Sequence, residues 1–210
     1  MDKEITEYVE AEIIPRYRGF DKAHAESHSR RTIENSLKIA EEHKVDLRMV
    51  YVVAAYHDLG LAQGRKDHEK NSARHLLADE RLKEWFSPAE LNLMAEAIED
   101  HRSSTDHEPR SIYGKIVADA DNDLTYMSIL TRCVQYGISA FPEYDKEKHY
   151  TRIVEHMKDK YGHAGYLKLW LNSEHDRRGL QDIWHKLYDD QAGLRADFDV
   201  IYEELEAEKC

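Results

Sequence analysis

The run Val50-Tyr51-Val52-Val53-Ala54-Ala55-Tyr56 leads directly into His57-Asp58, and Gly60 follows two positions later. Two groups able to hold a metal or a proton therefore sit where an apolar helical stretch stops. Burying such groups without partners costs roughly 2–7 kcal/mol for a neutral polar group and more for a charge. A divalent cation would satisfy both. The chain also offers co-ligands: His28 upstream, and Asp119 and Asp121 downstream.

Most of the chain reads as helix, since only four prolines and nine glycines interrupt it and apolar residues recur at helical spacing. A first helix is expected up to about Ile14, before Pro15. A second holds His28, with Ile33, Leu37 and Ala40 along one face. Asp46 reads as the N-cap of the helix that ends at His57-Asp58. Another helix follows Gly60 and Gly64, through Lys70, Ala73, Leu76 and Leu77. Ser87-Pro88-Ala89-Glu90 carries a capping serine, a first-turn proline and a capping-box glutamate, and the helix it opens reaches His101. The next begins near Pro109 and carries Ile116, Val117, Asp121 and Leu124. Beyond Gly137, Tyr166-Leu169-Trp170, Trp184-Leu187-Tyr188 and Phe198-Ile201-Tyr202 repeat an i, i+3, i+4 spacing, which predicts buried helical stripes. No strand pattern persists. The expectation is an all-α protein, with residues 1–136 as the functional core and 137–210 as a helical extension packed on it in one structural unit.

Thirty basic and 42 acidic residues give a net charge of −12, which argues against an extended nucleic-acid surface but allows a local basic pocket. No apolar run approaches the roughly 20 residues of a membrane span, and the charged N-terminus does not read as a signal peptide. Cys133 and Cys210 form no disulfide framework or zinc-ribbon spacing; free cysteines suit a reducing compartment, so a cytoplasmic protein is expected. The oligomeric state stays open, a homo-oligomer included.

Read singly, each candidate ligand has an ordinary explanation. His28 could be a surface or capping histidine. His57-Asp58 could end a helix whose dipole favours the imidazole. Asp121 could pair with Lys115 or Arg132. Read together, two imidazoles and two carboxylates make a mixed nitrogen and oxygen site suited to Mn, Fe, Co, Ni or Zn, and less to Mg.

His28-x-x-Arg31 with Asn35-Ser36-Leu37-Lys38-Ile39-Ala40, then Ala54-Ala55-Tyr56-His57-Asp58-Leu59-Gly60, then Ile116-Val117-Ala118-Asp119-Ala120-Asp121 resemble, in that order, the H…HD…D signature of the HD-domain superfamily of metal-dependent phosphohydrolases. The resemblance covers roughly residues 20–130. It implies an HD-like helical bundle, with His28, His57, Asp58 and Asp121, rather than Asp119, as metal ligands. In two-metal branches further histidines stand at similar places, so His68 and His101 would hold a second ion bridged by Asp58, or would serve as hydrogen-bonding neighbours of the first. Asp58 would orient or deprotonate a metal-activated water, while Arg31, Lys66 and Arg102 would meet the phosphoryl oxygens. The substrate class implied is a phosphate ester of a nucleotide or another small phosphorylated metabolite. A branch acting on deoxynucleoside monophosphates carries an acid three residues after the doublet, where this chain has Leu61. The alternatives are an HD-fold di-iron oxygenase and a non-catalytic binding protein stabilised by its metal.

Overall fold

The computed structural model describes residues 2–20, 25–102 and 107–207. Among the described residues there are ten α-helices and no strand, so the all-α expectation holds. Cys210, noted in the sequence, lies outside the described residues. The chain forms two compact units, Met1–Asp123 with Leu169–His175, and Leu124–Lys168 with Asp176–Cys210. The first unit thus closes at Asp123, ahead of the boundary near residue 136 read from the sequence, and takes in a segment from much later in the chain.

In the first unit, α1 (Lys3–Tyr8) is capped by the Asp2 carboxylate. It continues through a π turn, Val9–Ile13, into a 3-10 segment, Ile14–Gly19. The helical path does not stop before Pro15, because a proline in the first turn gives up an N–H that had no partner to lose. That continuation carries Tyr17 into the core, where it is fully buried. The helices α2 (Glu26–Ala40), α3 (Leu47–Tyr56), α4 (His68–Ala78), α5 (Pro88–Glu99) and α6 (Ile112–Asp121) follow.

Helix α3 packs against α2, α4, α5 and α6, and every residue from Met49 to Tyr56 is buried. Neighbours on all sides are what a helix without a polar face requires. Asp46 caps α3 by accepting from the Arg48 N–H at 2.8 Å. The expected capping box on α5 is present, with the Glu90 carboxylate accepting from the Ser87 N–H at 2.7 Å.

The second unit contains α7 (Tyr126–Ala140), α8 (Lys146–Tyr161), most of α9 (Glu174–Trp184) and α10 (Gln191–Ala207). Helices α7, α8 and α10 pack on one another, and Leu130, Val134, Ile153, Met157, Leu194 and Phe198 are among its buried side chains. Phe198 and Ile201 lie on a buried stripe as expected, and Leu187 is buried with Trp184 and Tyr188 less so. The first of the three stripes is not helical. Residues 165–169 have no regular structure, Tyr166 is largely exposed, and Trp170 donates its N–H to Asp119. Helical spacing in an isolated triplet is too short a pattern to override a local backbone partner.

Candidate metal centre

His28 stands in the first turn of α2, His57 at the C-cap of α3, and Asp121 at the last residue of α6. Consecutive residues on an ideal helix point about 100° apart, so His57 and Asp58 converge only because the helix ends between them. His57 keeps helical dihedrals, whereas Asp58 turns to φ −112°, ψ 5°. The Tyr17 hydroxyl holds that turn from below. It donates to the Ala55 carbonyl at 2.9 Å and lies 3.4 Å from the Asp58 N–H, which it accepts.

The four side chains meet. His28 Nε2 lies 3.2 Å from His57 Nε2, 3.1 Å from Asp121 Oδ1 and 3.6 Å from Asp58 Oδ2. His57 Nε2 lies 3.4 Å from Asp58 Oδ2 and 3.5 Å from Asp121 Oδ1. A metal with bonds of about 2.1 Å sets its donors about 3.0 Å apart at right angles and about 3.4 Å apart at tetrahedral angles. The observed separations are edges of that size.

Asp58 turns its other oxygen to a second group. Oδ1 lies 3.3 Å from His68 Nε2 and 3.5 Å from His101 Nε2. Asp58, His68 and His101 form a cluster that could hold an ion, as do His28, His57 and Asp58. One carboxylate thus faces two sets of imidazoles, one oxygen to each.

Proton placement favours a cation in both. The Nδ1–H of His57 donates to Ala54 O at 2.7 Å, that of His68 to Arg65 O at 3.0 Å, and that of His101 to Ile98 O at 2.6 Å. A carbonyl can only accept, so Nδ1 keeps a proton, and Nε2 is the nitrogen that presents a lone pair to a cation once it gives up its own proton. Burial opposes charge on His57, but the Asp58 and Asp121 carboxylates outweigh it and raise its pKa to about 10. His28 and His68 are likewise raised against the pull of burial, His28 by Asp121 and Asp58, and His68 by Asp58. Burial pushes the Asp58 and Asp121 carboxyls upward, yet the facing imidazoles hold both far below the usual carboxylate range. The pocket stabilises positive charge, and the donor set is one that transition metals accept.

Access is one-sided. His28, His57, Asp58 and His101 are buried, while the Asp121 side chain is 28% exposed and that of His68 13%.

Gly60 explains how His68 arrives. A Cβ there would fall 2.0 Å from the His68 carbonyl oxygen and 2.6 Å from the Ser72 nitrogen. The absent side chain lets the start of α4 lie against the turn after Asp58, and the Gly60 N–H donates to Ser72 Oγ at 2.8 Å. His101 is held through its neighbour. Buried Asp100 accepts from the Arg110 N–H at 2.7 Å and from its guanidinium at 2.9 and 3.1 Å, which ties residue 110 back to the end of α5.

The basic residues are less uniform. Arg31 Nε lies 3.1 Å from Asp123 Oδ2, and Arg102 lies 3.4 Å from Glu69. Lys66 is exposed. Lys115 pairs with Glu108, whereas Asp121 faces the imidazoles of His28 and His57. Asp119 is buried and faces elsewhere, accepting from the N–H groups of Trp170 and Leu171. Sequence reasoning missed Tyr17, Glu69 and Asp100. Glu69 beside His68 was a visible signal, its carboxylate 3.5 Å from Nδ1. Tyr17 gave none, because nothing local marks a tyrosine that will cap a helix some forty residues away.

A helical bundle with a buried histidine–aspartate cluster at its centre defines a metal-centre architecture. Residues 26–125 match the model of the HD domain family. The fold is similar to that of a crystal structure described as a predicted HD superfamily hydrolase from an uncultured Thermotogales bacterium. That likeness has a TM-score of 0.55 and 22% identity, and covers 93% of this chain and 92% of the other. Among curated proteins none matches this sequence. No helix among the described residues is long and apolar enough to cross a membrane.

Proposed function

We propose that this protein is a metal-dependent hydrolase that cleaves a phosphate ester of a nucleotide or another small phosphorylated metabolite. The observation that carries the reading is the set of His28, His57, Asp58 and Asp121 donors, spaced as coordination edges, with Nδ1 of His57 engaged by the Ala54 carbonyl so that Nε2 is the coordinating nitrogen. These four would hold one divalent transition metal, Mn, Fe, Co, Ni or Zn in preference to Mg. His68, His101 and Asp58 Oδ1 would hold a second. A divalent metal bound there lowers the pKa of water and offsets charge on phosphoryl oxygens.

The chain's own residues do the rest. Asp58, fixed by Tyr17, orients the attacking water, its two oxygens facing the two ligand clusters. The exposed edge at Asp121 and His68 is where a substrate enters. Arg31 on the His28 side and Arg102 beside His101 are set to meet phosphoryl oxygens, each exchanging a carboxylate partner for the substrate. Lys66, exposed two residues before His68, serves the same anion from outside. A small substrate fits the acidic chain, since it needs only a local basic pocket and not a basic surface.

The test is elemental analysis of protein purified without added metal, followed by phosphatase and phosphodiesterase assays with the ion found, on the wild type and on Asp58→Ala. The wild type should carry the metal and release product, and the variant should lose both. A metal-replete Asp58→Ala protein with full turnover would reject the role given to Asp58. Two irons with dioxygen uptake and no phosphate release would move the assignment to an oxygenase.

A further inference from the structure

Asp119 and Asp121 are two positions apart on α6, so the helix sets them about 200° apart around its axis. Asp121 faces the imidazoles. Asp119 faces the segment Leu169–His175, which belongs to the first unit although some 45 residues of the second precede it. The Asp119 carboxylate accepts from the Trp170 N–H at 2.9 and 3.0 Å and from the Leu171 N–H at 2.8 Å. Further along, the Glu174 N–H donates to Glu42 just beyond α2, at 2.7 Å. The Leu171 side chain packs on a small core of Ile39 and Ala40 from α2, Val50 from α3, and Ile116 and Ala120 from α6. These three helices carry or lead into all four ligands of the first cluster.

A carboxylate on a residue only 1% exposed needs donors, and backbone donors supplied by this segment meet that need. The consequence is mechanical. Asp121 is the last residue of its helix, where a free end would fray, and it is the most exposed of the four ligands. The grip on Asp119 fixes the rotation of that final turn.

We propose that the returning segment Leu169–His175, held through Asp119, is a positioning element for Asp121, so that a complete metal centre depends on residues outside the HD-matching stretch 26–125. The inference rests on the metal-centre reading given above. Asp119 is a positioning residue and touches no metal.

The experiment is a cobalt(II) titration followed by visible absorption, on the full-length wild type, Asp119→Asn, Asp121→Asn and Leu82→Ala. Leu82 is fully buried in the core of the same unit, so its truncation measures what lost stability alone does to the site. Asp119→Asn keeps the side chain's size but sets an amide where backbone N–H groups need an acceptor. It should weaken cobalt roughly 10–100-fold, as loss of a partner behind a ligand does, and shift the spectrum toward that of Asp121→Asn. Leu82→Ala should keep the wild-type affinity and spectrum while lowering Tm. Should Asp119→Asn fail to fold, Asp119→Glu, which keeps the charge but displaces it, is read in the same way. Wild-type affinity and spectrum in the folded Asp119 variant overturn this inference alone. An equal loss in Leu82→Ala also overturns it, because general destabilisation then explains the effect. A wild-type protein that takes up no cobalt overturns the metal-centre reading and this inference with it.

Discussion

Replacing Gly60 with alanine adds one methyl group and should separate the two clusters. The new Cβ would lie 2.0 Å from the His68 carbonyl oxygen, 2.6 Å from the Ser72 nitrogen and 2.8 Å from the Asn71 Cβ. Two of the three are backbone atoms, so no side chain can swing aside. A carbon and an oxygen need about 3.2 Å, so the start of α4 must retreat by roughly 1 Å; overpacking of this kind costs about 1–3 kcal/mol. At about 2 kcal/mol, a chain of this length should lose roughly 4–8 °C in Tm. The retreat also draws His68 away from Asp58 Oδ1, now at 3.3 Å, and strains the Gly60 bond to Ser72. His28, His57 and Asp121 stand on α2, α3 and α6 and do not move with α4. On the proposed two-ion reading, the alanine variant should therefore keep one ion per chain where the wild type should hold two. Elemental analysis after desalting gives the stoichiometry, and thermal unfolding gives the stability. Two ions with an unchanged Tm would refute the argument that Gly60 sets the seat of His68.

Further outcomes concern the cluster's charge and its support. In the metal-free protein the raised pKa of His57, about 10, contributes stability fully present below the unfolded value of about 6.5 and lost as pH rises through 10. The depressed carboxyls of Asp58 and Asp121 act in the opposite sense, their contribution present above about pH 3.9 and lost in stronger acid. Tm with chelator should therefore fall between pH 6.5 and 10, and added metal should remove most of that fall; a flat metal-free profile would contradict the arrangement. Metal uptake at neutral pH should also release protons into a weakly buffered solution, since the ion replaces those held on the imidazoles. Tyr17→Phe leaves the Ala55 carbonyl and the Asp58 N–H without their partner, so it should cost about 1–3 kcal/mol and lower turnover through kcat more than KM. Unchanged kcat in a folded Tyr17→Phe protein would leave the tyrosine a purely structural part. Ser87→Ala removes the cap of α5 and should cost about 0.5–2 kcal/mol while leaving metal content intact, as measured by urea unfolding and elemental analysis.

The sequence by itself carried the helical class and the Asp46 and Ser87 caps, because each rests on short-range chemistry, and its resemblance to the HD-domain superfamily picked out the four side chains that meet. An apolar helix that stops at an imidazole and a carboxylate announces a buried charge wherever it packs. A capping box is written within four residues. The tertiary structure decided what depends on distant segments. It brought Tyr17 beneath Asp58, and used the missing side chain of Gly60 to seat His68. It left Tyr166 exposed and gave the Trp170 N–H to Asp119, where the spacing had suggested a helical stripe. It also drew the first unit's limits across a 45-residue excursion. Spacing along a chain specifies which face of a helix a residue occupies; what meets that face is set by which helices pack together, and that is a property of the whole core.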